Sequence, residues 1–178
     1  MVNQGKKDFN KFIYIGVGSN IGDKLANIRQ AIDELNNSGI HVIRTASVYE
    51  TPPWGFEADE WFLNTVFECT SELIPPDCLK ALQFVEKKMG RERKLREGYE
   101  SRIIDLDILL FKDLQISIPE LTIPHPYITE RQFVIDPMFE LTQHFFFRSL
   151  GHDFEELKNK SENPEIPFVV HNPPLVNE

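Results

Sequence analysis

Ser101-Arg102-Ile103-Ile104-Asp105-Leu106-Asp107-Ile108-Leu109-Leu110-Phe111 is the stretch around which the chain is organised. It reads as a buried strand, because Ile, Leu and Phe fill most of it and such residues suit a pleated surface. Side chains along a strand alternate with a period of two, so Asp105 and Asp107 project from one face. Ile104, Leu106, Ile108 and Leu110 are expected on the other face, packed on a core. Two carboxylates side by side in an apolar strand are costly, since burying one unpaired carboxylate costs several kcal/mol. A cation relieves that cost, and Mg²⁺ suits, because it binds through one or two carboxylates together with phosphate and water. Taken alone, the pair also reads as the wet face of a half-exposed strand. Arg102 and the basic run ahead of it favour metal and phosphate, the combination that phosphoryl transfer requires.

That basic run extends upstream as Arg91-Glu92-Arg93-Lys94-Leu95-Arg96-Glu97-Gly98-Tyr99-Glu100-Ser101-Arg102. Lys87 to Arg102 holds seven basic and three acidic residues, in a chain whose net charge is −9. A solvated charged loop is one reading. Its entry straight into the aspartates favours the other, arginines that grip phosphate. Only Leu95 and Tyr99 could pack, and Gly98 adds backbone freedom. The loop is therefore expected to be a lid, open without ligand and closed over bound phosphates.

Further upstream, Phe12 to Val17 reads as a strand and Gly18 to Asp23 as a turn. Leu25, Ile28, Ile32 and Leu35 then mark a helix that ends at Asn37-Ser38-Gly39. Gly16, Gly18 and Gly22 have the spacing G-x-G-x-x-x-G, which departs from the dinucleotide fingerprint. They read instead as a strand-to-helix turn, where glycine tolerates positive φ. Gly39 to Thr51 reads as a second strand, broken by Thr51-Pro52-Pro53-Trp54-Gly55, and Phe62 to Thr70 as a third. The link between them is too short for a parallel crossover, so they are expected to be antiparallel. Leu79, Leu82, Val85 and Met89 mark a second helix after Pro75. With the aspartate strand the order is βαββαβ, a ferredoxin-like α+β arrangement, which predicts an antiparallel sheet with helices on one face. A C-terminal extension follows. Leu121 to Pro126 is expected to be extended, Glu130 to Leu141 to hold a short helix or two around Pro137, and residues beyond about 160 to be irregular. The 178 residues are expected to form a single domain with its core between about 11 and 142.

An acidic chain is not a general nucleic-acid binder. No apolar run approaches the ~20 residues of a membrane span. Met1 to Asn10 is polar, so no signal peptide is expected. Cys69 and Cys78 form no C-x-x-C pair and read as reduced, buried thiols of a cytoplasmic protein. A monomer acting on small molecules is expected.

Six segments together resemble the 6-hydroxymethyl-7,8-dihydropterin pyrophosphokinases of folate biosynthesis. They are G-S-N-I-G-D from Gly18, T-P-P-W-G from Thr51, F-L-N from Phe62, G-R-E-R from Gly90, S-R-I-I-D-L-D-I-L from Ser101 and L-T-I-P-H-P-Y-I-T-E-R-Q-F-V from Leu121. They occur in the family's order. The resemblance implies transfer of pyrophosphate from ATP to the pterin's hydroxymethyl oxygen, with two Mg²⁺ ions held by Asp105 and Asp107. It implies that Arg91 and Arg102 act in catalysis alongside these aspartates. It implies ATP contacts from Gln83, Glu86, Arg91, Arg93, Arg102, Ile108, Thr122, His125 and Arg131. Phe62 and Phe133 match an aromatic pair that sandwiches the pterin, Asn64 the residue that reads its edge, and Thr51, Pro52 and Trp54 a segment lining its pocket. Two departures stand out. Glu97 to Arg102 replaces the family's R-W-G-P-R with about one extra residue, so Tyr99 aligns loosely with the tryptophan. Phe62 stands where tyrosine is common. No general base is apparent. His125, between two prolines, reads either as a structural histidine or as a phosphate contact. Two rival readings remain: a two-metal phosphohydrolase that uses water as acceptor, and a ferredoxin-like binding module without chemistry.

Overall fold

The computed structural model describes residues 9–53, 60–91, 101–160, 168–171 and 175. In chain order its elements are β1 (Ile13–Ser19), α1 (Lys24–Asn37), β2 (His41–Thr45), β3 (Val48–Thr51), β4 (Phe62–Thr70), α2 (Pro75–Lys88) and β5 (Asp105–Phe111). β6 (Ile116–Ile118), β7 (Leu121–Ile123), α3 (Gln132–Thr142), α4 (Phe154–Lys160) and β8 (Phe168–His171) follow. The main sheet runs β5-β1-β4-β3-β8, β2 also pairs with β4, and every pairing is antiparallel. From β1 to β5 the order is βαβββαβ, the expected ferredoxin-like βαββαβ with its second strand divided in two.

Local chemistry sets the helix ends. Asp23 caps α1 by accepting from the Ala26 N–H at 3.0 Å, and Gly39, at φ 81°, turns the chain out of it. Pro75 opens α2 at a position where its missing N–H costs nothing. α3 is one helix of 11 residues with Pro137 inside it, where one or two helices were expected.

Two apolar layers sandwich the sheet. On one face Ile13, Ile15, Val17, Phe67 and Ile108 pack against Ile28 and Leu35 of α1 and Leu82 and Val85 of α2. On the other, Tyr14, Val66 and Leu110 pack against Val134, Ile135, Met138 and Leu141 of α3 and Phe154 and Leu157 of α4. Helices thus cover both faces rather than the one expected. The core also runs past residue 142: Phe147 meets Tyr14 and Phe154 edge-on, at 5.8 and 5.9 Å between ring centres.

Four further expectations are corrected. β1 continues through Gly18 and Ser19, so these are strand rather than turn residues, and positive φ within the motif is confined to Gly22. The single strand expected from Gly39 to Thr51 is two, because the backbone kinks at Ala46-Ser47 while β4 pairs with both parts. Leu110 leaves the face of Leu106 and Ile108. Tyr14 pairs with Leu110 and Ile15 with Ile108, so Leu109 is an extra residue, a bulge that resets the alternation. Finally, Phe168–His171 is not irregular but pairs with β3.

Candidate active site

The site follows from which strand ends meet. Thr51 ends β3 with Pro52 just beyond it, Phe62 and Asn64 begin β4, and Asp105, Asp107 and Leu109 lie on β5. With Arg102, and with Arg131 and Phe133 at the start of α3, they line one cleft. Gly16 and Gly18 of β1 form its floor. Gly18 pairs with Asn64 on one side and Asp105 on the other, so it joins the aromatic end of the cleft to the acidic end. A Cβ at Gly18 would sit 2.9 Å from Asn64 Oδ1. Asn64 Nδ2 donates to Thr51 Oγ1 at 2.7 Å, which fixes the amide and turns Oδ1 towards Gly18.

At the acidic end both Asp105 oxygens are held by arginine. Oδ1 is 2.7 Å from Arg91 Nη1, and Oδ2 is 2.9 Å from Arg102 Nη1. Arg91 also pairs with the buried Glu86, whose carboxylate accepts from the Leu106 N–H at 2.9 Å. Arg131 lies 4.0 Å from Asp107 and stacks over the Tyr127 and Phe133 rings, 5.2 and 5.7 Å from their centres. Burial first, then the Asp105 charge and Glu86, push the Asp107 carboxyl up to about 7; Arg131 and Arg91 oppose the shift. A carboxyl that holds a proton this tightly lacks positive charge. Among the described residues no three or more His, Cys, Asp or Glu converge as a metal cage. Two same-face carboxylates instead fit Mg²⁺, which keeps phosphate and water ligands of its own.

His125 donates its N–H to the Leu109 carbonyl, while its Nδ1 accepts from the Tyr127 N–H at 3.1 Å. Burial first, then Arg131, push its pKa down to about 4, against Asp105. It is neutral at pH 7, and with Nδ1 accepting from Tyr127 its proton sits on Nε2. Glu86 is buried beneath Arg91. Gln83 is half-buried on α2, Thr122 is exposed on β7, and the Ile108 side chain lies in the α1–α2 core, on the opposite face from the cleft. Trp54 and residues 92–100, Arg93 and Tyr99 included, fall outside the described residues, and with them most of the loop expected to be a lid.

Sequence reasoning missed two residues. Gly18 was read as a turn. Asn20, buried to 1% exposure, accepts from the Arg102 N–H at 2.7 Å and donates to Ser101 Oγ at 2.9 Å. Its own N–H donates to the Arg102 carbonyl. The loop after β1 thus holds Arg102 in place, and the G-S-N segment was the available signal.

Residues 14–143 match the family described as 7,8-dihydro-6-hydroxymethylpterin-pyrophosphokinase (HPPK). The chain belongs to this family. It is 35% identical over 156 residues to the 2-amino-4-hydroxy-6-hydroxymethyldihydropteridine pyrophosphokinase of Aquifex aeolicus, covering 88% of this chain and 94% of that one. It is 41% identical over 135 residues to the Bacillus subtilis enzyme of the same name, covering 75% and 80%. Among solved structures it resembles an HPPK-DHPS in complex with substrates, with TM-score 0.66 and 12% identity over 83% of this chain. It also resembles the Plasmodium falciparum wild-type HPPK-DHPS with pteroate, with TM-score 0.67 and 16% identity over 84%. The chain spans 42% of each of these two, and at such identities the likeness is one of fold.

In this pyrophosphokinase, Gly18→Ala is expected to break the Asn64–Thr51 hydrogen bond by pushing on Asn64 Oδ1. A lost hydrogen bond to a buried amide weakens whatever ligand Asn64 holds, about tenfold. Equilibrium binding of a pterin analogue measures this, and unchanged affinity would show that the floor can give.

Proposed function

We propose that this pyrophosphokinase transfers the β,γ-pyrophosphate of MgATP to the hydroxymethyl oxygen of 6-hydroxymethyl-7,8-dihydropterin in folate biosynthesis. The alcohol oxygen bonds to the β-phosphorus, the bond from that phosphorus to the oxygen bridging the α-phosphate breaks, AMP leaves, and the alcohol proton passes to a phosphate oxygen. One observation carries the reading: an aromatic and amide pocket and an aspartate pair share one cleft across Gly18. Phe62 and Phe133 flank the flat pterin. Asn64 Oδ1, oriented by Thr51, accepts from the ring's N–H edge, with Pro52 in the wall, to which the family resemblance adds Trp54.

Asp105 and Asp107 would hold the two Mg²⁺ ions, which neutralise phosphate charge when bound. Arg91, Arg93, Arg102 and Arg131 hold the phosphate chain, and neutral His125 donates to it through Nε2. Gln83, Glu86, Ile108 and Thr122 complete the nucleotide side. The acceptor is neutral and the phosphates are crowded with charge, so positioning and charge neutralisation supply most of the rate. We read all 178 residues as one domain of a cytoplasmic monomer. No helix among the described residues is long and apolar enough to cross a membrane.

The test is one assay with ATP, Mg²⁺ and the reduced pterin alcohol, in which AMP is measured. AMP release that depends on pterin supports the transferase. Release without pterin would favour the phosphohydrolase, and no release a binding module. Phe133→Ala is expected to weaken pterin binding by roughly 1–3 kcal/mol, the value of stacking a base on an aromatic. Affinity for a non-hydrolysable ATP analogue should barely change. Equal weakening of both ligands would count against the sandwich.

A further inference from the structure

Phe62 and Phe133 sit at the near ends of two long elements, β4 and α3. Both elements run away from the cleft, and their far ends are fastened to the same place. Arg44 makes two hydrogen bonds to Glu68 of β4, at 3.0 and 2.7 Å, and Glu68 is fully buried. The same guanidinium donates to the Leu141 carbonyl, in the last turn of α3, at 2.7 Å. Beside it the Glu140 carboxylate accepts from the Ser47 N–H at 2.7 Å and from the Tyr49 hydroxyl. Tyr49 and Ser47 are buried at 7% and 6% exposure. Burial first, then the bond to Glu140, push the Tyr49 hydroxyl well up, so it remains a donor.

The geometry is that of tongs. Glu68 lies four residues along β4 from Asn64, about 13 Å. Glu140 lies seven residues along α3 from Phe133, about 10 Å. Val66 packs with Val134, Met138 and Leu141 between the two arms. Arms this stiff pass a shift at the clamped end to the open end, where Phe62 and Phe133 face the ligand. Arg44 fastens the far ends, whereas Glu140 ties α3 to β3 beside the cleft wall, since Tyr49 pairs with Asn64 across β3 and β4.

We propose that Glu140 and Arg44 are positioning residues that set the gap between Phe62 and Phe133, and so the affinity for the flat heterocycle, without touching it. The inference rests on the pterin reading of the cleft. Tyr49→Phe removes one bond with little loss of packing, and Glu140→Ala removes both. Two measurements are made on each folded variant: equilibrium binding of pterin and of an ATP analogue, and amide exchange at Val134 and Ile135 without ligand. Those two amides donate to the Arg131 carbonyl in the first turn of α3, more than one helical turn from Glu140. Glu140→Ala is expected to weaken pterin about tenfold and to speed exchange at both amides, with Tyr49→Phe in between. ATP-analogue affinity should stay within about twofold. Unchanged pterin affinity, or equal loss of both ligands, would overturn the proposal. If the wild-type protein binds no pterin, the functional reading fails; the exchange data then decide the clamp, and unchanged exchange at Val134 and Ile135 overturns it.

Discussion

Asp107→Asn is expected to lower turnover about a thousandfold and yet make the metal-free protein more stable above pH 7. The loss follows if Asp107 is the charged metal ligand proposed above, an effect of several kcal/mol on a transition state that a metal neutralises. The gain follows from the raised Asp107 carboxyl, near 7 against an ordinary 3.8. Between about pH 4 and 7 the folded protein holds a proton that the unfolded chain has released. Stability therefore falls as pH rises through that window, and the whole cost is present above pH 7. Asparagine removes it. The Asp107 side chain keeps 41% of its exposure, so screening reduces the effect to on the order of 1 kcal/mol, or about 2–4 °C in Tm. Thermal unfolding without metal, at pH 8 and pH 4.5, measures the difference and its expected shrinkage. Mg²⁺ with an ATP analogue should then stabilise the wild type more than the variant. A variant less stable at pH 8, or one turning over at the wild-type rate, would refute the account.

Arg102→Ala is expected to lower turnover about a thousandfold while weakening an ATP analogue less than about tenfold. Arginines that meet charge as it develops act mainly in the transition state. The same substitution should tighten Mg²⁺ binding in the absence of nucleotide. In the free protein Arg102 occupies Asp105 Oδ2 and Arg91 occupies Oδ1, so the guanidiniums stand where a cation would compete. Removing one cation from a carboxylate makes room for another. Calorimetric titration with Mg²⁺ alone separates this from any effect on chemistry. Parallel losses of turnover and nucleotide affinity would reduce Arg102 to a ground-state contact, and weaker Mg²⁺ binding would make it a metal-site support.

Most of the frame was legible because its signals are local. The alternation of β5 as far as Ile108 and the helical stripes of α1 and α2 put the right residues against the core. Local signals failed where distant residues decide. The kink between β2 and β3 is held by Glu140, 93 residues beyond Ser47. The face of Leu110 depends on a bulge against β1, and β8 forms only because β3 offers it a partner. At the site, alternation alone paired Asp105 with Asp107. The convergence of Phe62 with Phe133, 71 positions apart, came from the family resemblance, since no spacing rule brings them together. Gly18 stood inside a family segment, but its role as the floor of the cleft was hidden because that role is the space it leaves.

The strand β8 has a consequence for chain length. It lies against β3 at one end of the sheet, beyond residues 14–143 that match the family. A chain stopping near residue 160 would leave β3 with a bare row of N–H and C=O groups, Tyr49 and Glu50 among them. Such a rim invites strand addition from another molecule. By covering that rim the tail opposes self-association, so a chain shortened to about residue 160 is expected to be less soluble.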